Sequence, residues 1–87
     1  MYYVYILKSG KDGKLYIGYS DNLRRRLSEH KSGKVTSTKY RLPLELVYYE
    51  AYKNIEDAKK RESGIKNSGS VHTGLVKRIR KSIDMGL

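Results

Sequence analysis

The sequence predicts a mixed α/β domain, and three observations carry that prediction. Two tyrosine-bearing runs of strand-like residues meet through a hairpin turn. A basic segment follows at once, with its inward residues at helical spacing. An apolar, tyrosine-containing run in the middle of the chain then leads into more helical periodicity. At 87 residues the chain has room for one domain, residues 1–87, near the size at which a single hydrophobic core is just sufficient.

Taken in order, residues 2–8 are rich in tyrosine and in β-branched or long aliphatic side chains, which favours a strand. Gly10-Lys11-Asp12-Gly13 supplies the turn, and residues 14–19 form the return strand. If that loop holds an even number of residues, odd positions of the first strand share a face with even positions of the second. Tyr5 and Tyr16 then lie on one face, whatever the finer register. Ser20 or Asp21 is expected to cap a helix over residues 22–31 that ends near Ser32-Gly33. Leu23, Arg26, Leu27 and His30 stand at i, i+3, i+4 and i+7, the spacing of a core-facing stripe. A helix meant only for packing would carry leucine or alanine at all four positions. Two cationic-capable side chains there, aimed at hairpin tyrosines, mark a site. Residues 34–42 read as a polar, basic loop closed by Pro43. Residues 44–51 form a third strand, its apolar run suited to a central, well-covered place in a sheet. Asn54 with Asp57 resembles a capping box and opens a second helix. Its inward stripe is Ile55, Ala58, Glu62 and Ile65, so an acid again faces inward, and Ser63-Gly64 is expected to weaken the helix just after it. Lys59-Lys60-Arg61 reads as surface. A last helix over residues 70–82 turns Val71, Leu75, Val76, Ile79 and Ile83 inward and leaves Lys77, Arg78, Arg80 and Lys81 outward.

Lysine and arginine outnumber acids by 19 to 9, a formal charge of +10 that predicts attraction to a polyanion. Nucleic acid leads, ahead of an anionic membrane surface. All aromatic residues are tyrosines, nine of them, so each one that is buried needs a polar partner for its hydroxyl. With no cysteine, disulfides, thiolate zinc sites and cysteine nucleophiles are excluded. The sequence shows no secretory leader and no membrane-spanning apolar stretch, so a cytoplasmic location is expected.

The ordered set of a tyrosine-bearing first strand, Tyr16-Ile17-Gly18, Asn22-Leu23-x-x-Arg26-Leu27-x-x-His30 and Ala58-x-x-Arg61-Glu62 resembles the GIY-YIG nuclease superfamily. It is most similar to the small stand-alone bacterial and archaeal members, with Arg41-Leu42-Pro43 leading into Leu46-Val47-Tyr48-Tyr49-Glu50 as in that subgroup. The motif-bearing part covers residues 2–66. The resemblance implies a layered α/β (α+β) fold with a central three-stranded antiparallel sheet flanked by helices. It places Tyr5 and Tyr16 as the two signature tyrosines, Arg26 and His30 as the helix arginine and histidine, and Glu62 as the metal-binding glutamate. The implied reaction is metal-dependent hydrolysis of phosphodiester bonds in nucleic acid, DNA favoured over RNA, in repair or processing, with a single Mg²⁺ or Mn²⁺. The first signature reads Tyr3-Val4-Tyr5 here, and the family's late asparagine has no assigned counterpart, Asn67 included. Extra domains that select substrates in other members are not seen here. Target choice is therefore expected from this surface or from a protein partner, the chain acting as monomer or homodimer.

The residue types suit that chemistry. Phosphodiester hydrolysis gathers negative charge on phosphoryl oxygens, and Arg26 is an always-charged fork for them. A single carboxylate such as Glu62 suits a Mg²⁺ that keeps most of its waters and also binds phosphate. Tyr5 can take a proton from water only if nearby positive charge lowers a pKa that is ordinarily near 10. Tyr16 suits orientation of water or phosphate, and His30 either relays a proton or holds Tyr5. Each residue also has a purely structural reading: cross-strand packing for the tyrosines, a satisfied core histidine, and ion pairing for Arg26 and Glu62. Arg24, Arg25, Lys31, Lys34, Lys39 and Arg41 can follow a phosphate backbone or simply form a solvated face. Two other classes compete with a nuclease: a binding module with this fold and no turnover, and a basic partner-binding or membrane-surface protein.

Overall fold

The computed structural model describes residues 1–85. Strands β1 (Tyr2–Ser9), β2 (Leu15–Ser20) and β3 (Leu44–Tyr52) form one antiparallel sheet in the order β2-β1-β3. Helix α1 (Leu23–Lys31) covers one face, and α2 (Ile55–Asn67), α3 (Gly69–Arg78) and α4 (Arg80–Asp84) pack on the other. This is the layered α+β architecture expected.

The central strand is β1, because Val4, Tyr5, Ile6 and Leu7 are all buried and only a strand covered on both faces tolerates such a run. β3, expected at the centre, lies at an edge. After the buried Leu44 its burial is only partial, and Tyr49 and Ala51 are exposed to solvent. Val4 and Ile6 join Ile17, Ala58, Ile65, Leu75, Ile79 and Ile83 in the larger core, whereas Tyr5 and Leu7 join Leu44 beneath α1. Burying each large aliphatic side chain is worth about 1.5–3 kcal/mol.

The register pairs odd positions of β1 with even positions of β2, Tyr5 opposite Gly18 and Leu7 opposite Tyr16, so Tyr5 and Tyr16 share the α1 face. The cap of α1 is Asn22 rather than Ser20 or Asp21, its side chain accepting from the Arg25 amide. Ser20 instead is spent locally, receiving the Asn22 amide and donating to the Asn22 carbonyl. At the far end Gly33 takes φ +76, and the amides of Gly33 and Lys34 return to the carbonyls of His30 and Glu29. That is a Schellman closure, which requires the left-handed conformation that glycine adopts without strain.

Helix α2 runs unbroken through Ser63-Gly64 to Asn67: a weakening of about 1 kcal/mol from a mid-helix glycine is outweighed by packing of Ala58 and Ile65. One further expectation is corrected. The single last helix is two, α3 and α4, broken at Ile79, whose φ of −110 and ψ of 21 leave helical geometry while its side chain stays in the core. Among the described residues no helix is long and apolar enough to cross a membrane.

Candidate active site

Tyr5 projects from the central strand and is 1% exposed, so its hydroxyl must find a partner inside the protein. It finds His30, whose Nε2 lies 2.9 Å away. His30 is fully buried on the inward stripe of α1, and its Nδ1 lies 2.8 Å from the Thr38 hydroxyl in the following loop. Thr38 is fully buried as well, so a three-member polar chain runs from the sheet through the helix into the loop. Tyr16 completes the cluster, with its ring 5.2 Å from that of His30 and 6.4 Å from that of Tyr5.

Glycine at position 18 makes the arrangement possible. A Cβ there would sit 2.5 Å from the Tyr5 hydroxyl oxygen and 3.1 Å from the Tyr16 ring. The residue opposite Tyr5 has to lack a side chain if both rings are to occupy this face.

Electrostatics separate the roles. Burial pushes the Tyr5 hydroxyl above its ordinary pKa of 10.0, while the Arg26 guanidinium beside it pulls downward and the Tyr16 and Glu62 charges push upward. Burial and the Arg26 charge both pull His30 below its ordinary 6.5, only partly opposed by Glu29. A neutral imidazole therefore meets a neutral phenol at pH 7. Arg26 is half-buried; the Tyr5 hydroxyl and Glu29, 3.1 Å from it, hold it more firmly cationic.

Glu62 sits on α2 with its side chain 21% exposed and Lys66 3.4 Å away. Among the described residues no three or more His, Asp or Glu gather in a metal-binding group. A lone, half-buried carboxylate fits a hard cation that keeps its waters and shares a substrate phosphate, so Glu62 is a fitting donor for Mg²⁺ or Mn²⁺. Tyr5, Tyr16, Arg26 and His30 thus gather in one place, and Glu62 comes near enough for its charge to act on Tyr5. Beside Arg26 the surface dips into a shallow concavity of about 480 Å³ walled by Lys34, Val35, Thr36 and Ser37.

The peripheral cations divide. Arg25 pairs with Asp21 at 3.2 Å and Arg41 with Asp12 at 3.5 Å. Lys39 lies over the Tyr40 ring at 5.0 Å. Arg24, Lys31 and Lys34 form no ion pair among the described residues.

A family model described as the GIY-YIG catalytic domain matches residues 1–73. The chain belongs to the GIY-YIG family. It is 42% identical over 66 residues to a UPF0213 protein of Staphylococcus saprophyticus, covering 75% of this chain and 79% of that one. A UPF0213 protein of Staphylococcus epidermidis is 46% identical over 66 residues, with the same coverage. The solution structure of a UPF0213 protein from Bacillus halodurans superposes with a TM-score of 0.58 at 38% identity, over 90% of this chain and 85% of that one. GIY-YIG domains are nucleases that generally use a divalent metal, and they act on nucleic acid.

Two polar groups that hold the elements of this fold in place escape sequence reading. Thr38 lies in a polar loop with no periodicity to mark it. Glu50, on the opposite sheet face, receives the Tyr48 and Tyr52 hydroxyls and both arms of the Arg61 guanidinium, at 3.0 Å each. Arg61, expected at the surface, is thereby half-buried, and its fork fixes the rotation of α2 one residue before Glu62.

Proposed function

We propose that this chain is a metal-dependent endonuclease that hydrolyses phosphodiester bonds, in DNA by preference, in a repair or processing role. The observation that carries the reading is the buried Tyr5–His30–Thr38 chain with Arg26 beside the Tyr5 hydroxyl. A structural tyrosine needs one partner. Here a phenol meets a neutral imidazole beside the Arg26 cation, with the Tyr16 ring against both and the Glu62 charge acting on Tyr5.

In this reading Arg26 receives the phosphoryl oxygens as their charge grows. Because burial raises the Tyr5 pKa, Tyr5 does not wait as a phenolate. Its oxygen accepts a proton from the attacking water while its own proton moves to Nε2 of neutral His30. For that transfer Nδ1–H donates to the Thr38 oxygen, which fixes the tautomer. The bond from phosphorus to the leaving oxygen breaks as the new one forms, and the leaving oxygen takes its proton from solvent. Tyr16 orients the water or the phosphate. A divalent cation at Glu62 supplies Lewis-acid stabilisation of the leaving oxygen.

The test is cleavage of labelled duplex, single-stranded and branched DNA with Mg²⁺, Mn²⁺ or EDTA. Arg26→Ala and Glu62→Ala, each confirmed folded, are expected to lose about a hundredfold or more in rate. Salt-sensitive binding without cleavage of any nucleic-acid form under any metal would replace this reading with a binding module of the same fold.

A further inference from the structure

Along the flank of α1 that points away from Arg26 runs a groove of about 920 Å³. The sheet contributes Tyr3 and Tyr49 to its wall, and α1 contributes Leu23, Arg24, Leu27 and Lys31. The register sets Tyr49 opposite Tyr5 and Ala51 opposite Tyr3, so the two groove tyrosines are diagonal neighbours on the face that carries the Tyr5–His30 pair. Their rings meet edge-on with centroids 6.1 Å apart. Tyr49 is 53% exposed, although a tyrosine serving only to pack would lie under the helix. Above this aromatic floor Arg24 and Lys31 stand on the same helix flank, two turns or about 10 Å apart. Neither forms an ion pair among the described residues, and the one acid in the wall, Asp21, is held by Arg25.

The geometry points to a groove that takes an unpaired nucleobase: the base stacks on Tyr49, and the phosphates on either side meet Arg24 and Lys31. An aromatic face is indifferent to which base it stacks on, and flanking cations without partners are complementary to a backbone rather than to an apolar peptide. A paired base within a duplex presents no free face to Tyr49. The inference rests on the nuclease reading and deepens it, because it names the substrate class as nucleic acid with unpaired bases beside the scissile bond.

Three labelled probes test it by fluorescence anisotropy in EDTA, where cleavage cannot intervene. They are a short single-stranded oligodeoxynucleotide, the same sequence in a duplex, and an abasic phosphodiester chain of equal length. The single strand is expected to bind about tenfold more tightly than the abasic chain, a stacking contribution of about 1.4 kcal/mol. Tyr49→Ala is expected to erase that difference and Tyr49→Phe to keep it, with NMR signals of the Tyr3 and Tyr49 rings shifting only with the base-bearing strand. Tyr49 is exposed on an edge strand, so its truncation leaves the core intact. Equal affinity for the base-bearing and abasic chains overturns the groove assignment while leaving the nuclease reading standing. A dimer that Tyr49→Ala dissociates, with oligonucleotide affinity unchanged, assigns the groove to a second copy instead. Absence of binding to every probe also overturns the groove assignment, and the metal-supported cleavage assay then decides the nuclease reading by itself.

Discussion

His30 has no exposed surface and uses both ring nitrogens, so its protonation state is coupled to folding. Burial lowers its pKa below 6.5, hence the unfolded chain takes up a proton that the folded chain resists as pH falls through that value. Stability from this group is present above about pH 6.5 and lost as pH falls toward the folded value. Thermal midpoints measured from about pH 8 to pH 5 are therefore expected to fall, and His30→Gln is expected to flatten the acid side of that profile. A second prediction concerns its neighbour. Thr38→Val keeps the volume but leaves Nδ1 buried and unpartnered, which costs about 1–3 kcal/mol by chemical denaturation. His30 was legible in the sequence because it stands, with Arg26, on a core-facing stripe whose other members are Leu23 and Leu27. Thr38 was not, because a loop hydroxyl eight residues away carries no periodic signal. Glu50 was hidden for a related reason: strand alternation tells which residues share a face, but not that a carboxylate there meets an arginine from a later helix.

Glycines test the elements, because two of them have opposite surroundings. At Gly18 an added methyl would collide with the Tyr5 hydroxyl, so Gly18→Ala is expected to cost about 1–3 kcal/mol and to displace Tyr5 from His30. At Gly64 a Cβ meets nothing within 4 Å inside a regular helix, so Gly64→Ala is expected to stabilise by about 0.5–1 kcal/mol. Denaturant midpoints of the two variants should move in opposite directions. This pair also shows where element reading reached its limit. Composition marks both positions as helix or strand weakeners, yet only the packing shows that one is required and the other merely tolerated. Helix existence and inward faces followed from period and caps, as with Asn54 opening α2. The order of strands did not follow, because β1 and β3 are both rich in apolar and tyrosine residues. What put β1 at the centre was its unbroken buried run, whereas β3 spends Glu50 on Arg61 and leaves Tyr49 to solvent.

At the scale of the whole molecule, a formal charge of +10 says that a polyanion binds, but not where its phosphates lie. The structure sorts the cations by whether an acid already holds them. Arg25, Arg26, Arg41, Arg61 and Lys66 have carboxylate partners, which must be displaced before a phosphate can take their place. Arg24, Lys31 and Lys34 have no carboxylate partner among the described residues and release counterions directly. Affinity for nucleic acid is therefore expected to fall linearly with the logarithm of salt concentration, at about 0.7–0.9 in slope for each phosphate neutralised. Replacing Arg24 and Lys31 together by alanine is expected to lower that slope by about 2, and Arg41→Ala by much less. Titrations at several salt concentrations distinguish these outcomes. A slope that fell equally for Arg41→Ala would mean that Asp12 does not hold Arg41 in solution. A slope unmoved by the α1 pair would mean that the backbone follows the Lys34 side of the helix, next to Arg26, and leaves the tyrosine groove outside its path.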